Sequence, residues 1–274
     1  MIKKIATKPN QRFLWLDTCA LIAISQNEKN AKENFLELTK KAEVEGILVM
    51  PCFGTDSLFE IRREKTFEDF LSFFNNYPCM LLSTCKGIVQ SEHDASISKS
   101  KIDFRNMIVY VFVPEKEIKR LKLRCASFKD FVTKAMDVSN KNTMLAEEQE
   151  MTLLCEEILK GNNYLTQTSD ETEGIRIFLS KILNQSIEKI SLDNYPSLRL
   201  MRHCLIQKSQ NKSTLLKRND IYDVLLCSAI PYVNAIIIEG NQADKIQTAK
   251  SVIPQLDVQV FTINDLYNNQ IEIH

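Results

Sequence analysis

Asp17 closes the apolar run Phe13-Leu-Trp-Leu-Asp17, and Glu239 closes a second such run, Ala235-Ile-Ile-Ile-Glu239. Asp220 and Asp223 are three positions apart, a spacing that puts both side chains on one helix face, directed toward the helix N-terminus. Glu60 lies in Ser57-Leu-Phe-Glu60-Ile, just after a third apolar run, Ile47-Leu-Val-Met50. Each acid has an ordinary use on its own: Asp17, Asp220 and Asp223 as helix caps favoured by the dipole, Glu60 and Glu239 as solvated side chains. Together they mean more. Clustered carboxylates repel one another unless a cation compensates, and hard divalent ions such as Mg²⁺ and Mn²⁺ take oxygen ligands. The five acids are therefore expected to hold a metal if the fold brings them to one pocket.

Other chemistries are excluded by what the chain lacks. Its six glycines stand at 46, 54, 87, 161, 174 and 240, so GxGxxG, GxxxxGK[ST] and GxSxG cannot occur, and phosphate cradles and lipase-type elbows are ruled out. The eight cysteines form no CxxC pair, which removes the usual start of a zinc or redox site and leaves them as small buried apolar residues of a reduced protein. Three histidines, 93, 203 and 274, make no HExxH arrangement. The basic N-terminus is followed by no apolar run of signal-peptide length, and no stretch of 18 uncharged apolar residues occurs, so a cytoplasmic protein with no membrane partner is expected. With Lys+Arg 35 against Asp+Glu 35 the formal charge is zero, and 44% of residues are hydrophobic. That is ordinary globular composition, enough for one large domain.

The elements that must position the acids follow from apolar periodicity. Residues 13–17 read as a buried strand and 18–25 as a short helix; 30–45 carry helical spacing stopped by Gly46, and 47–50 form the next strand, ended by Pro51. A helix with Leu58, Phe59, Glu60 and Ile61 follows, then a helix over 67–77 and a strand over 79–82. At the other end, 220–232 read as a helix, 235–238 as a β-branched strand, 242–250 as a helix and 258–262 as a last strand. Alternation at both ends predicts an α/β fold, a parallel sheet with helices on both faces, built from residues 1–84 and 201–274. Residues 85–200 read as a mainly helical insertion, with one convincing strand over 107–113 and a long helix over 142–160 stopped by Gly161. The acidic runs Glu147-Glu-Gln-Glu150 and Asp170-Glu-Thr-Glu173 read as solvated faces. In such a sheet ligands bind beyond the carboxyl ends of the strands, where Asp17 and Glu239 should project side by side.

At these residues the sequence resembles the PIN-domain nuclease family. The likeness lies in Phe13-Leu-Trp-Leu-Asp17-Thr-Cys-Ala-Leu-Ile22, in Ile47-Leu-Val-Met-Pro51 with Ser57-Leu-Phe-Glu60-Ile, and in Asn219-Asp-Ile-Tyr-Asp223 leading to Ile236-Ile-Ile-Glu239-Gly-Asn. What the resemblance implies is a PIN-like fold and an endoribonuclease that cuts RNA, in some members DNA, with Mg²⁺ or Mn²⁺. The family's acids fall on Asp17, Glu60, Asp223, with Asp220 adjacent, and Glu239. The family usually has Asp at the last of these positions, so a catalytically weakened PIN-like scaffold, or a nucleic-acid-binding or interaction protein, is the alternative. Nothing in the resemblance covers residues 85–200, which are expected to serve substrate recognition or a protein partner or inhibitor. A haloacid-dehalogenase-like phosphatase also begins with a strand-end Asp, but it needs a second Asp where Cys19 stands.

Phosphodiester hydrolysis needs an activated water and neutralisation of charge at phosphorus, both of which carboxylate-held metals provide. On this reading Asp17 is a direct or bridging ligand, Asp223 and Glu239 complete the coordination, Glu60 orients water and Asp220 supports. Between Asn194 and Asn219 there is no acid, while Arg199, Arg202, Lys208, Lys212, Lys217 and Arg218 supply six positive charges. They are expected to track nucleic-acid phosphates, or else to form a solvated basic surface.

Overall fold

The strands alternate side chains between two buried faces, and that alternation organises the whole chain. A computed structural model describes residues 10–137, 143–159, 165–166, 168–210 and 216–274. Six strands, β1 (Gln11–Leu16), β2 (Leu48–Gly54), β3 (Cys79–Leu82), β4 (Ile108–Phe112), β5 (Ala235–Ile238) and β6 (Gln259–Thr262), form one sheet in the order β4-β3-β2-β1-β5-β6. Every neighbouring pair is parallel except β3 with β4. The first connections carry α1 (Thr18–Gln26), α2 (Ala31–Val44), α3 (Thr55–Ile61) and α4 (Phe67–Asn75). The middle of the chain carries α5 (Cys85–Ile97), α6 (Glu115–Leu121), α7 (Phe128–Ala135), α8 (Thr143–Leu159), α9 (Glu171–Leu183) and α10 (Pro196–Gln210). After it come α11 (Arg218–Leu226), a short helical turn over Cys227–Tyr232, α12 (Gly240–Lys250) and α13 (Ile263–Tyr267).

Leu14, Leu16, Phe53, Leu81 and Ile237 point to one face, where Phe35, Phe70, Phe74 and Phe128 from the covering helices pack. Trp15, Cys52, Met80, Ile236 and Ile238 point to the other, against residues of α5, α8, α9, α10 and α11. Helices therefore cover both faces of a mostly parallel α/β sheet, as the sequence predicts. Residues 85–200 share both cores, through Ile88, Met107 and Phe178 on one side and Phe112, Phe128 and Val132 on the other. The strand expected over 107–113 is β4, an edge strand of the main sheet that pairs Cys79 with Phe112.

Two local expectations change. Strand β2 runs through Pro51 to Gly54, since Pro51 pairs with Leu14 just before pairing with β3 begins at Cys52, and a missing N–H is tolerated there. The helix expected over 220–232 is α11, beginning at Arg218, followed after Leu226 by a tighter turn that contains Pro231, because proline removes the helical hydrogen bond. Asn142, Lys160 and Gly161 lie outside the described residues. Gly46 does stop α2 as expected, in the left-handed region at φ 79°, where a β-carbon would be strained. Among the described residues no helix is long and apolar enough to cross a membrane.

Candidate functional site

The strand order reverses at β1: the chain winds outward through β2 and β3 on one side and through β5 and β6 on the other. The crevice beyond the carboxyl ends of β1 and β5 is thus the switch point where ligands bind in open parallel sheets. Leu16 is in register with Ile237, and the Asp17 N–H donates to the Ile237 carbonyl at 3.1 Å. Asp17 and Glu239 therefore leave adjacent strands at the same edge. Both stand at helix N-cap positions, of α1 and α12, yet neither side chain makes a capping hydrogen bond; the ordinary use of Asp17 as a cap is not taken up, whereas Glu239 is solvent-exposed, as its ordinary reading expects.

Two more elements bring carboxylates to this edge. Helix α3 presents Glu60, whose Oε2 accepts from the Thr18 hydroxyl at 2.6 Å. Helix α11 presents Asp223 and Asp220 on one face. Burial, the charge of Asp223 and, less strongly, that of Glu239 push the Asp17 carboxyl up to about 6, against a hydrogen bond from the Cys19 thiol. Burial first, then the charges of Asp17 and Asp223, push Glu60 up to about 7, against the Thr18 bond. Asp17, Glu60, Asp223 and Glu239, drawn from four separate elements, are electrostatically coupled. Burial is the first cause for both Asp17 and Glu60, and Asp223 is the charge that raises both.

Lys208, in the last turn of α10, answers part of that charge. Its Nζ is 2.6 Å from Asp223 Oδ2 and 3.2 Å from Asp220 Oδ1, with the side chain only 9% exposed. Burial works against its charge, but the two carboxylates outweigh burial and hold the ammonium above the ordinary lysine range. Asp220 is committed on both oxygens, since Oδ2 accepts the Lys217 N–H at 2.8 Å and caps α11. No other basic side chain among the described residues lies within ion-pair distance of Asp17, Glu60, Asp223 or Glu239.

The donor set fits a hard divalent cation in kind, being all carboxylate oxygen, although the charge of Arg63 already relieves Glu60 in part. In placement it is not closed: among the described residues, no three His, Cys, Asp or Glu side chains are grouped tightly enough to hold a metal ion. Asp223 Oδ2 is taken by the Lys208 ammonium. A cavity of ≈ 650 Å³ lies elsewhere, between the start of α5 and helices α8 and α9, and none of the five acids lines it.

The basic stretch divides. Arg199 is turned inward to Glu171 and the Val252 carbonyl. Arg202 is buried and donates to the carbonyls of Leu165, Thr168 and Ser169. Arg218 donates to Thr152 and lies 5.5 Å from the Tyr222 ring centre. Lys217 is exposed, Lys208 is in the acid cluster, and Lys212 lies outside the described residues. Sequence reasoning missed Lys208 as the counter-ion, Thr18 as the partner of Glu60, and Lys245, which is buried on α12 and tied to Asn241. The Asp17-Thr18 pair was a usable signal, because a hydroxyl one residue beyond a strand-end acid reaches the same pocket. For the lysines no local signal exists. No described protein family, curated protein or solved structure matches this chain.

Proposed function

We propose that this chain is a PIN-like, Mg²⁺- or Mn²⁺-dependent nuclease that hydrolyses phosphodiester bonds, an endoribonuclease acting on RNA. The observation that carries the reading is the convergence of Asp17, Glu60, Asp223 and Glu239 toward the β1/β5 switch point, where burial, with the charge of Asp223 beside it, raises Asp17 and Glu60. A divalent ion bound there would supply an activated water and neutralise charge developing on the phosphoryl group. Asp17, Asp223 and Glu239 are the residues that would hold it, with Asp220 supporting from the α11 cap. Glu60, close to neutral pH and fixed by Thr18, is placed to take or return a proton on water at the same edge. Its hydrogen bond leaves Oε1 for that task. Residues 85–200 are the region we assign to substrate or partner recognition.

A second reading, a scaffold with weakened catalysis, is favoured by one observation: the carboxylates do not close on a single point while Lys208 holds Asp223. Incubating purified protein with labelled single-stranded RNA, structured RNA and single-stranded DNA, with Mn²⁺ and with EDTA, separates the two. The nuclease reading expects cleavage of RNA that EDTA abolishes and that Asp17→Asn and Asp223→Asn both remove. Binding without cleavage in Mn²⁺ selects the scaffold.

A further inference from the structure

An open sheet edge is a pairing site unless a protein spoils it with lysine, proline or a covering element. The two edges of this sheet are β4 and β6, and no residue of β6 is exposed. On β4 the run Ile108-Val-Tyr-Val-Phe112 carries no charge, glycine or proline, and its one strand neighbour among the described residues is β3. Leu81 and Leu82 are in register with Tyr110 and Ile108, so Val109 is the extra residue of a bulge. Its side chain is 47% exposed. Tyr110, Val111 and Phe112 stay in regular register with β3, and that half of the strand keeps an extended outer edge whose N–H and C=O groups need partners. Apolar surface continues past the strand, where α6 has no buried residue and Leu121 and Leu123 are exposed.

The charge around this edge has one sign. Residues 99–124 hold eight lysines and arginines against three acids, a net of +5 in a chain whose formal charge is zero. Each acid is taken: Asp103 by Arg105, Glu115 by Lys119 and Glu117 by Arg120. Lys99, Lys101, Lys116, Lys122 and Arg124 are exposed and have no ion-pair partner among the described residues. The anion that answers them must come from outside. A second copy is the wrong occupant, because β4 against β4 would set two such basic segments side by side. A nucleic acid would answer the bases and leave the apolar run and the strand's backbone groups unused. An extended peptide with acidic ends satisfies all three.

We propose that the β4 edge docks an extended peptide of a partner protein, an apolar core about as long as β4 between acidic ends, which adds to the sheet as a further strand. Backbone hydrogen bonds along β4 supply the register, and the bases on either side of the strand select the acidic ends. The edge lies three strands from β1, so docking there stands or falls independently of the acids at the β1/β5 edge.

The test is fluorescence polarisation of the full chain with a labelled peptide whose Val-Thr-Val-Thr-Val core lies between triplets of Glu. Its controls are the same peptide N-methylated through the core, which removes the backbone donors and keeps every side chain, the peptide with Gln for Glu, and an oligouridylate of equal length. Expected is saturable binding of the first peptide, with hydrogen exchange slowed across Ile108–Phe112. N-methylation should weaken it at least tenfold. The triple variant Lys101→Gln, Lys116→Gln, Lys122→Gln changes only exposed side chains, and it should weaken binding by about tenfold, as the loss of three surface ion pairs gives. Equal affinity for the N-methylated peptide overturns strand addition, and equal affinity for the Gln peptide overturns the acidic partner. Preference for the oligouridylate, lost in the triple variant, overturns the proposal in favour of a nucleic-acid surface. A dimer in sedimentation that protects the same segment overturns it in favour of a second copy, and no binding of the peptide up to about 1 mM overturns it outright.

Discussion

The two ends of α10 meet two kinds of acid. At the start, the Ser197 N–H donates to Glu92 at 2.9 Å, and the Tyr232 hydroxyl donates to the same oxygen at 2.5 Å. Glu92 is 0% exposed and is pushed up to about 7 by burial, opposed by those neutral donors. At the other end, Lys208 meets Asp223 and Asp220 at the sheet edge, where burial and then the charge of Asp223 raise Asp17, and burial and then the charges of Asp17 and Asp223 raise Glu60. The shifts look alike and their origins differ. A lone buried carboxyl is relieved by keeping its proton, while a crowded set is relieved equally well by a cation. Only the second end has something to gain from metal, and the comparison can be broken at either end.

The largest effect expected is on cleavage. Asp17→Asn and Asp223→Asn should each lower the Mn²⁺-dependent rate by roughly 10²–10⁴-fold, the range for losing a positioned catalytic group, whereas Glu92→Gln should stay close to wild type. Single-turnover rates on labelled RNA measure this, and equal losses at both ends would erase the distinction.

Next in size is pH. The Glu92 carboxyl ordinarily titrates at 4.5 and in the fold at about 7, so the stability it gives is complete below about 4.5 and lost as pH rises through 7. The loss is on the order of 3 kcal/mol. Relative to wild type, Glu92→Gln should therefore gain that much between pH 4.5 and pH 8 in urea melts of metal-free protein. A pH-independent difference between the two proteins would show that Glu92 ionises freely. Asp17 and Glu60, raised in the same direction, should leave the variant with residual pH dependence of the same sign.

Mn²⁺ should sharpen the contrast slightly less strongly. A ligand at a hundred times its Kd stabilises the native state by about 2.7 kcal/mol, a rise of roughly 5 °C in Tm for a chain of this size. Wild type and Glu92→Gln should both show it. Asp17→Asn should not, and an undiminished shift in that variant would place the metal elsewhere.

The smallest effects concern two other basic residues, Arg202 within α10 and Lys217 at the start of α11. Arg202→Ala strips donors from the carbonyls of Leu165, Thr168 and Ser169 and should cost about 1–3 kcal/mol without changing the salt dependence of RNA binding. Exposed Lys217→Gln should leave stability nearly unchanged and reduce the slope of log affinity against log salt by about 0.7. A slope change in Arg202→Ala at unaltered stability would return that arginine to the binding surface.

The sheet and its acid edge were largely readable because short-range rules govern them. Apolar runs such as Ile236-Ile-Ile fix strands, and the residue that ends a strand is thereby placed at an edge, which located Asp17 and Glu239 together. Pairing across the chain was not readable in the same way. Lys208 precedes Asp220 and Asp223 by 12 and 15 positions, outside any helical repeat, so only the packing of α10 against α11 reveals the contact. Arg199 and Arg202 read as phosphate-binding charges because their acceptors, largely backbone carbonyls, carry no side-chain signature. Glu92 sits in Gln90-Ser-Glu92-His-Asp94, a polar run that resembles a solvated helix face until α10 and the Cys227–Tyr232 turn cover it.

The measurement closest to the central claim, that the edge acids are one coupled set which a cation completes, is the titration of the Asp17 carboxyl by carbon-detected NMR in metal-free protein. Asp17 should titrate at about 6, move back toward the ordinary aspartate range in Asp223→Asn, and cease to titrate between pH 5 and 7 in saturating Mg²⁺. An Asp17 carboxyl that titrates like a free aspartate, and responds neither to Asp223→Asn nor to Mg²⁺, would contradict the account.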